Sequence, residues 1–439
     1  MIALLLALLG GVSSRPPDFP TSRPPDLDSL PMVTLAEALQ RAARLDPNYV
    51  RALGAVDNAT WARRAAFSAL VLPSVTAGAD YTEFTIQQFN VGTGSPAKTS
   101  ATMRLDARFE LFTGLRKLSD LSRTGADLES AEAGETQQRY LTALATEASY
   151  YAVLSGRELL EVARERVRRA EEGLVVARAR VVSGAAVQSD SLQLLLELDR
   201  ARVDLLQEEA GLRVARLQLG RRVGTPRGVD AAPLDTARAP DLPLTLEQAI
   251  NQALELGPEF RVARANERSA EAALHARRGS YFPQAVVSAN TIGFGDQYLT
   301  RGLSRSSLTF SLSFPLWDNA QRELGYTRAR TARDLARATR EDLERSAEAD
   351  VTEAYDAYQT ARATADLSAQ ALLVARENYR VQEARYRAGA STILDLLDAQ
   401  SGLTSAQAAL VQARYAARLA LAGLEAMLGR RLFSDKEPP

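Results

Sequence analysis

Two aspartates stand three residues apart in the segment RYRAGASTILDLLDAQ, residues 385–400. Residues at this spacing share one face of a helix, so Asp395 and Asp398 would present their carboxylates side by side. Paired carboxylates can serve acid–base catalysis. Alternatively, in a first helical turn they can stabilise the helix by interacting with the positive end of its dipole. Catalysis needs a partner base or a bound metal, and the sequence offers neither.

Other residue types narrow the possible chemistry further. The chain has no cysteine, which excludes disulfides, thiolate catalysis and thiolate metal sites. Its single histidine, His275, stands among alanine and arginine, as expected for a solvated helix face. No Ser/His/Asp set, metal-ligand cluster or phosphate-binding glycine loop is recognisable. We therefore expect no enzyme, no cofactor and no metal, and the net charge of −1 gives no reason to expect a nucleic-acid partner.

The start of the chain looks like a targeting segment. Residues 1–14, MIALLLALLGGVSS, have the length of a signal peptide and are too short to span a bilayer. The usual basic start is missing, so a frayed N-terminus is the alternative. The proline-rich residues 15–33 predict an extended linker. No later stretch is apolar enough for a transmembrane helix, so a membrane crossing would use strands.

The rest of the chain contains an internal sequence repeat. TLAEALQRAARLDPNYVRA, from Thr34, matches TLEQAINQALELGPEFRVA, from Thr245. Each copy begins with a threonine suited to cap a helix, and Pro47 and Pro258 stand where a second helix would start. We assign residues 34–230 to a first repeat, 231–243 to a linker, 244–432 to a second repeat and 433–439 to a tail.

Each repeat predicts a helix, two strands, a long helix, a turn and a final helix. The strand pairs are SVTAGADYTEF with TMRLDARFELF, and AVVSANTIGF with SLTFSLSFPLW. The last segment alternates serine and threonine with an apolar row, formed by Leu308, Phe310, Leu312 and Phe314. Such alternation over about ten residues is typical of a transmembrane β-strand, with Trp317 and Tyr81 suited to an aromatic girdle. A soluble sheet with one buried face is the alternative.

The helices after the strands are too long for a compact domain. Residues 113–183 lack proline and predict a helix of about 100 Å at 1.5 Å per residue. After the turn, apolar residues recur every seven positions, as in a coiled coil. They are Leu198, Leu205, Leu212 and Leu219 after Ser191, then Leu396, Leu403, Leu410, Ala417 and Leu424, with Ala399, Ala406, Ala413, Ala420 and Met427 three residues on. Each repeat thus pairs one long helix with a broken rod, which consists of the helix before the strands and the helix after the turn, stacked end to end.

Four strands cannot close a barrel, and an open sheet edge is not tolerated in lipid. The chain must therefore assemble symmetrically, so that several copies complete one barrel. Coiled-coil rods that continue this cylinder would make a conduit. A non-transporting periplasmic coiled-coil scaffold is the alternative, but it does not explain two alternating hairpins in equivalent positions.

The plan resembles the TolC-type outer-membrane efflux channels over residues 34–432, most closely in VVSGAAVQSDSL and RYRAGASTILDLLDAQ. The resemblance implies a mainly α fold with a small β part, in which long antiparallel coiled coils and four transmembrane strands per chain complete a trimeric α/β-barrel. It implies an outer-membrane exit duct with a long periplasmic extension, serving a tripartite efflux pump or a type I secretion system. The implied cargo is small molecules or proteins. The implied partners are a periplasmic adaptor, an inner-membrane pump and outer-membrane lipid.

The resemblance also gives roles to the segment that contains the two aspartates. It places Asp395 and Asp398 in carboxylate rings at the pore constriction, where mutual repulsion should raise some of their pKa values. It gives Asp190 and Tyr386 a hydrogen bond that keeps the tip shut. The family has an arginine two residues after the second glycine, whereas this chain has Ser391, so we expect a weaker closed state.

The turns themselves are predicted from the residues. Gly389 should end its helix in the left-handed conformation, and Thr392 and Asp395 have the spacing of a capping box for the next helix. Gly184 should act alike in the first repeat. If these turns form the periplasmic tip, an adaptor would dock on their small residues: Ser183, Gly184, Ala185, Ala388, Gly389 and Ala390. The alternative is that these are simply good turn residues.

Overall fold

The computed structural model describes residues 30–91, 93–234, 239–295 and 303–433. The predicted signal peptide, the linker up to residue 29, residue 92, part of the inter-repeat linker, the loop between the last two strands and the tail after residue 433 lie outside these ranges. Among the described residues, no helix combines the length and the apolar character that a membrane span requires.

The two repeats have the same order of elements. The first contains α1 (Leu35–Leu45), α2 (Pro47–Val71), β2 (Ser74–Asn90), β3 (Ser95–Phe112), α3 (Arg116–Val182) and α4 (Gln188–Arg222), preceded by the short strand β1 (Met32–Val33). The second contains α5 (Leu246–Leu256), α6 (Pro258–Arg278), β5 (Gln284–Gly295), β6 (Leu303–Ser313), α7 (Gln321–Arg387) and α8 (Ile393–Leu428), preceded by β4 (Asp230–Ala231). The two halves of the chain thus share one order of elements, and the bounds assigned to the repeats and linkers stay predictions.

Local chemistry explains where the first helices begin. The Thr34 hydroxyl accepts a hydrogen bond from the amide of Glu37 at 3.3 Å. Thr245 makes the same contact with Gln248, whose side chain in turn accepts from the Thr245 amide. Both threonines satisfy amides that a helix leaves unpaired at its N-terminus. Pro47 and Pro258 occupy first helical positions, where the missing N–H costs nothing.

The four long strands form one antiparallel sheet in the order β2-β3-β5-β6. Each repeat contributes one hairpin, as predicted, and the pairing of β3 with β5 joins the two repeats. The strands β2 and β6 therefore form the two edges of the sheet, and each pairs with one other strand only in the described chain.

The long helix α3 packs against a different set of helices at each end. Toward its N-terminus it contacts α2, where the Tyr49 hydroxyl donates to Glu135 at 2.6 Å, and α6, where Ser130 donates to Asn266 at 2.8 Å. Toward its C-terminus it contacts α4 and α8. The helices α2 and α4 thus form the predicted broken rod beside α3.

The predicted heptad positions lie in the packed seams. The buried members are Leu198, Leu212, Leu219, Leu396, Ala399, Leu403, Ala413, Ala417 and Leu424. The alanines among them allow close approach of neighbouring backbones. Near the middle of the molecule, β1 and β4 form a short parallel bridge that the sequence did not predict. The hydroxyl of Tyr150 donates to the carbonyl oxygen of Ala232 at 2.8 Å and secures this bridge.

A buried ionic cluster ties the end of the chain to α3. The Arg431 guanidinium donates to Glu147 at 2.5 Å and to Glu425 at 2.7 Å, and the side chains of both glutamates are 5% exposed. The Leu432 amide donates to the other oxygen of Glu425 at 2.8 Å. Burial raises the pKa of Glu147 against the opposing effect of Arg431, and the charge of Glu425 adds to the rise. The cluster thus holds one negative charge more than its arginine compensates.

The raised pKa of Glu147 predicts a pH dependence of stability. A carboxyl group that binds its proton more tightly in the folded chain stabilises the fold below its ordinary pKa of 4.5, and this contribution is lost as pH rises through the folded value. Glu147→Gln should therefore match the wild type below about pH 4 and become progressively more stable than it at higher pH. Denaturant unfolding of both proteins from acid to neutral pH measures this difference. A constant or falling difference would contradict the raised pKa.

Candidate functional site at the tip of the helical hairpins

The two predicted turns close the helical hairpins in the same way. Gly184 and Gly389 have φ angles of +75° and +76°, the left-handed conformation that glycine adopts cheaply. The Ala185 amide donates to the carbonyl oxygen of Arg180 at 2.8 Å, and the Ala390 amide donates to that of Arg385 at 2.8 Å. These contacts satisfy carbonyl groups at the ends of α3 and α7. The predicted left-handed ends of both helices are confirmed.

The predicted capping box at the start of α8 is also present. The Asp395 amide donates to the Thr392 hydroxyl at 3.2 Å, and the Thr392 amide donates back to the Asp395 carboxylate at 2.9 Å. The Thr392 hydroxyl adds a contact of 2.8 Å to the same carboxylate oxygen. These hydrogen bonds favour the charged form and hold the pKa of Asp395 below its ordinary value.

Asp398 is in a different environment, although it lies one turn further along the same helix. Its side chain is exposed and makes no hydrogen bond or ion pair with any residue that the structure describes. Within one chain, therefore, only Asp395 has a structural role as a cap. The predicted mutual repulsion of the carboxylates depends on neighbouring chains and stays a prediction.

The predicted hydrogen bond between Tyr386 and Asp190 is not formed within the chain. Tyr386 is only 2% exposed, and its hydroxyl has no hydrogen-bond partner among the described residues. Burial raises the pKa of this hydroxyl, and the charge of Arg180 opposes the rise. The Asp190 carboxylate adds to the rise, so Asp190 influences the hydroxyl through its charge and not through a hydrogen bond. The carboxylate belongs to the half-exposed first turn of α4, outside hydrogen-bond reach of the buried hydroxyl.

Arg180 is a tip residue that the sequence analysis did not single out. Its guanidinium lies over the Tyr386 ring, 4.6 Å from the ring centroid, and donates to the backbone carbonyl of Tyr386. It also donates to the carbonyl oxygen of Ala185 at 3.3 Å. The repeat contains a signal for this residue, because Arg385 stands equally far before its own glycine and donates to Ala390 at 3.3 Å. Only Arg180 reaches the other hairpin.

Strand register places the predicted lipid-facing residues on one side of the sheet. Phe310 lies directly opposite Val287, which lies opposite Phe109 on its other side. Leu308 continues a parallel row with Ala289. Paired residues in neighbouring strands point to the same face, so Leu308, Phe310 and Leu312 share an apolar face. Phe314 lies just beyond the end of β6.

The opposite face of the sheet is polar. Arg104 is paired with Asp80 in an ion pair, and the Asn290 amide donates to the Asp106 carboxylate. Thr309 and Ser311 lie on this side, between the apolar residues of β6. Side-chain contacts on this polar face thus link β2 to β3 and β3 to β5, whereas the apolar row crosses β3, β5 and β6.

Residues 35–225 and 249–430 match the family model described as outer membrane efflux protein, which covers well over half of the chain. The chain belongs to this family. The matched ranges include the four long strands, the long helices and both tip turns; β1, β4 and the first residues of α5 lie outside them.

Relatives and solved structures agree with this assignment. The pyoverdine export outer membrane protein OpmQ of Pseudomonas aeruginosa is 29% identical over 365 residues, which cover 78% of this chain and 72% of the relative. Protein CyaE of Bordetella pertussis is 28% identical over 438 residues, which cover 95% and 88%. The outer membrane channel CmeC of Campylobacter jejuni superposes with a TM-score of 0.77 over 92% of this chain and 87% of that one. Its sequence identity is 13%, so this likeness concerns the fold.

These findings confirm the predicted fold class and place the chain in the outer membrane, with its long helices extending into the periplasm. They also confirm the predicted function of an outer-membrane exit duct for export. The family and its relatives are transport channels. The roles assigned to residues of the pore, the gate and the adaptor contact stay predictions.

Proposed function

We propose that three copies of this chain close into one channel that serves as the exit duct of a tripartite efflux pump or a type I secretion system. The observation that carries the proposal is the pair of unpaired sheet edges, β2 and β6, on opposite sides of one chain. A neighbouring copy can pair its β6 with β2, and repeated pairing closes a barrel without a free edge. The likeness to a pyoverdine export protein supports small molecules as cargo.

The two aspartates would act at the narrow end of this channel. Both are exposed on the first turns of α8, where three copies would bring six carboxylates into rings. Rings of acidic side chains favour cations in a pore. Hydrogen bonds from Thr392 favour the charged form of Asp395, so Asp395 would contribute a negative charge to the ring.

We expect the double variant Asp395→Asn with Asp398→Asn to lose most of its preference for cations. In planar bilayers, its cation-to-anion permeability ratio should fall toward unity and block by multivalent cations should weaken. The control is Asp366→Asn on α7, which makes the same chemical change to one aspartate far from the tip. Wild-type selectivity in the double variant would show that these aspartates only cap the helix, whereas failure of the wild-type protein to conduct would refute the channel itself.

The tip also offers a surface for the proposed adaptor. Around the two turns, Val182 is 89% exposed, Val187 is 65% exposed and Leu394 is 63% exposed. Such apolar residues beside Gly184 and Gly389 would allow close contact between helical tips. An exposed apolar surface of this kind is a common feature of protein–protein contact sites.

Cysteines introduced at Ala185 and Ala390 should form crosslinks to the adaptor in living cells. The chain has no cysteine of its own, so every crosslink reports the introduced position. Cysteines at exposed positions of α7 away from the tip, for example at Leu367 and Val374, provide the control. Crosslinks confined to these mid-helix positions would contradict docking at the tip.

A further inference from the structure

One arginine connects the two hairpins at the tip. The Arg180 guanidinium, in the last turns of α3, contacts the backbone carbonyl and the aromatic ring of Tyr386 in the last turn of α7. It contacts its own turn through the carbonyl oxygen of Ala185. A Cβ atom added to Gly389 would lie 3.6 Å from Nη2 of Arg180, so the guanidinium also lies against the second turn.

The Tyr386 ring, which Arg180 contacts, is held in place by the residues packed around it. The ring is buried in a cluster with residues of three other helices: Ala170, Leu174 and Ala177 of α3, Leu194 and Leu198 of α4, and Ile393 and Leu396 of α8. The hydroxyl makes no hydrogen bond in the described chain. Tyr386 therefore contacts its surroundings through its ring and its backbone carbonyl, and its hydroxyl adds no hydrogen bond.

A second arginine on α3 repeats the arrangement further from the tip. Arg169 lies 5.9 Å from the ring centroid of Tyr379 on α7 and donates to Thr404 and Gln407 of α8, each at 3.3 Å. Arg169 and Arg180 are eleven positions apart, or about three helical turns, so they lie on one face of α3. Two arginine–tyrosine pairs thus hold the α7–α8 hairpin against α3.

We propose that Arg180 is the positioning residue that keeps the tip of this chain closed, by clamping the ring and backbone carbonyl of Tyr386 against α3. The proposal rests on the proposed channel, whose tip must open for export. Separation of the α7–α8 hairpin from α3 at the tip breaks the ring contact and the charge-assisted hydrogen bond together. The expected weakening from Ser391 is a separate contact and stays a prediction.

The proposal makes the hydroxyl of Tyr386 dispensable. A hydrogen-bonded latch to Asp190 would fail in Tyr386→Phe, whereas a clamp on the ring and carbonyl would not. Arg180→Ala and Tyr386→Leu should each open the tip, and we expect a rise of roughly tenfold in the ratio of open to closed time. Arg180→Lys should be intermediate, because the ammonium keeps the hydrogen bond to the carbonyl and loses the planar stacking.

Single-channel recordings of the full-length assembled protein test these variants against Arg178→Ala. Arg178 is an exposed arginine in the same turn of α3, without a hydrogen bond, ion pair or ring contact among the described residues. The clamp predicts wild-type recordings for Arg178→Ala and Tyr386→Phe, and raised opening for Arg180→Ala and Tyr386→Leu. The heat stability of the trimer band identifies variants that fail to assemble; if Arg180→Ala is one of them, Arg180→Lys is compared instead.

Two results would overturn the clamp while leaving the channel intact. In one, the wild type conducts and Arg180→Ala or Arg180→Lys opens no more than Arg178→Ala. In the other, Tyr386→Phe opens as much as Arg180→Ala, which would assign the latch to the hydroxyl. Absence of any conductance in the wild type would instead refute the proposed channel, so the two failures are distinguishable.

Discussion

Arg431→Ala should destabilise the assembled protein by about 3–5 kcal/mol, the cost of removing one partner from a buried ion pair. Arg431 is the cation between Glu147 and Glu425, and both carboxylates are almost inaccessible to solvent. Alanine would remove the guanidinium that both buried carboxylates bind. The cluster joins the segment after α8 to the middle of α3, so its loss should also loosen the end of the chain. Denaturant unfolding at one fixed protein concentration measures the effect.

Two comparisons separate lost charge compensation from general damage. Arg430→Ala changes the exposed neighbour and should alter the unfolding midpoint little. The triple variant Glu147→Gln, Glu425→Gln and Arg431→Met removes all three charges and should recover much of the lost stability, because buried ionic clusters are replaceable by neutral groups of similar size. If Arg431→Ala behaves like Arg430→Ala, the cluster does not stabilise the fold.

The overall fold could be predicted because it depends on periodic signals. Alternation identified the strands, the seven-residue repeat identified the seams of α4 and α8, and the glycines identified the turns. The duplication supplied a second, independent reading of each element. Even so, the order of strands in the sheet was not predicted, because the contact between β3 and β5 joins residues almost two hundred positions apart and no local pattern encodes it.

The candidate site could be predicted only in part, for a related reason. The capping role of Asp395 is local and follows from a spacing of three residues. The contact of Arg180 with Tyr386 depends on how two hairpins pack, and in sequence Arg180 is one of many arginines on a helix that looks solvated. Glu147 and Arg431 look equally ordinary. The missing hydrogen bond of the Tyr386 hydroxyl likewise depends on where α4 places Asp190.

Phe310→Arg should strongly impair insertion into the outer membrane, whereas Ser311→Arg should be tolerated. The two residues are neighbours in β6 and point to opposite faces of the sheet. Phe310 belongs to the apolar row with Val287 and Phe109, which we propose faces lipid. An arginine on the lipid face costs about 2–4 kcal/mol at the bilayer midplane and much less near the interfaces.

Adjacent positions in one strand make this comparison sharp. Both variants add the same side chain, at nearly the same depth, to residues that are exposed in the single chain. The introduced side chain, its depth and the net charge are therefore matched, and the two variants differ chiefly in which face the arginine occupies and in which residue it replaces. The amount of heat-modifiable trimer in outer-membrane fractions measures assembly. Equal amounts for Phe310→Arg and Ser311→Arg would refute the assigned faces.

Arginine substitutions at Leu308 and Leu312 extend the same experiment along the strand. Both residues lie on the Phe310 face, and each is two residues from it, or about 7 Å along the strand. The cost of a lipid-facing arginine falls with distance from the midplane, so the three positions should differ in a graded way. The largest loss of trimer would mark the depth of the midplane. If the sheet instead had one face buried by protein, the loss of trimer at each position would depend on the packing around that side chain. The losses would then show no gradient along β6.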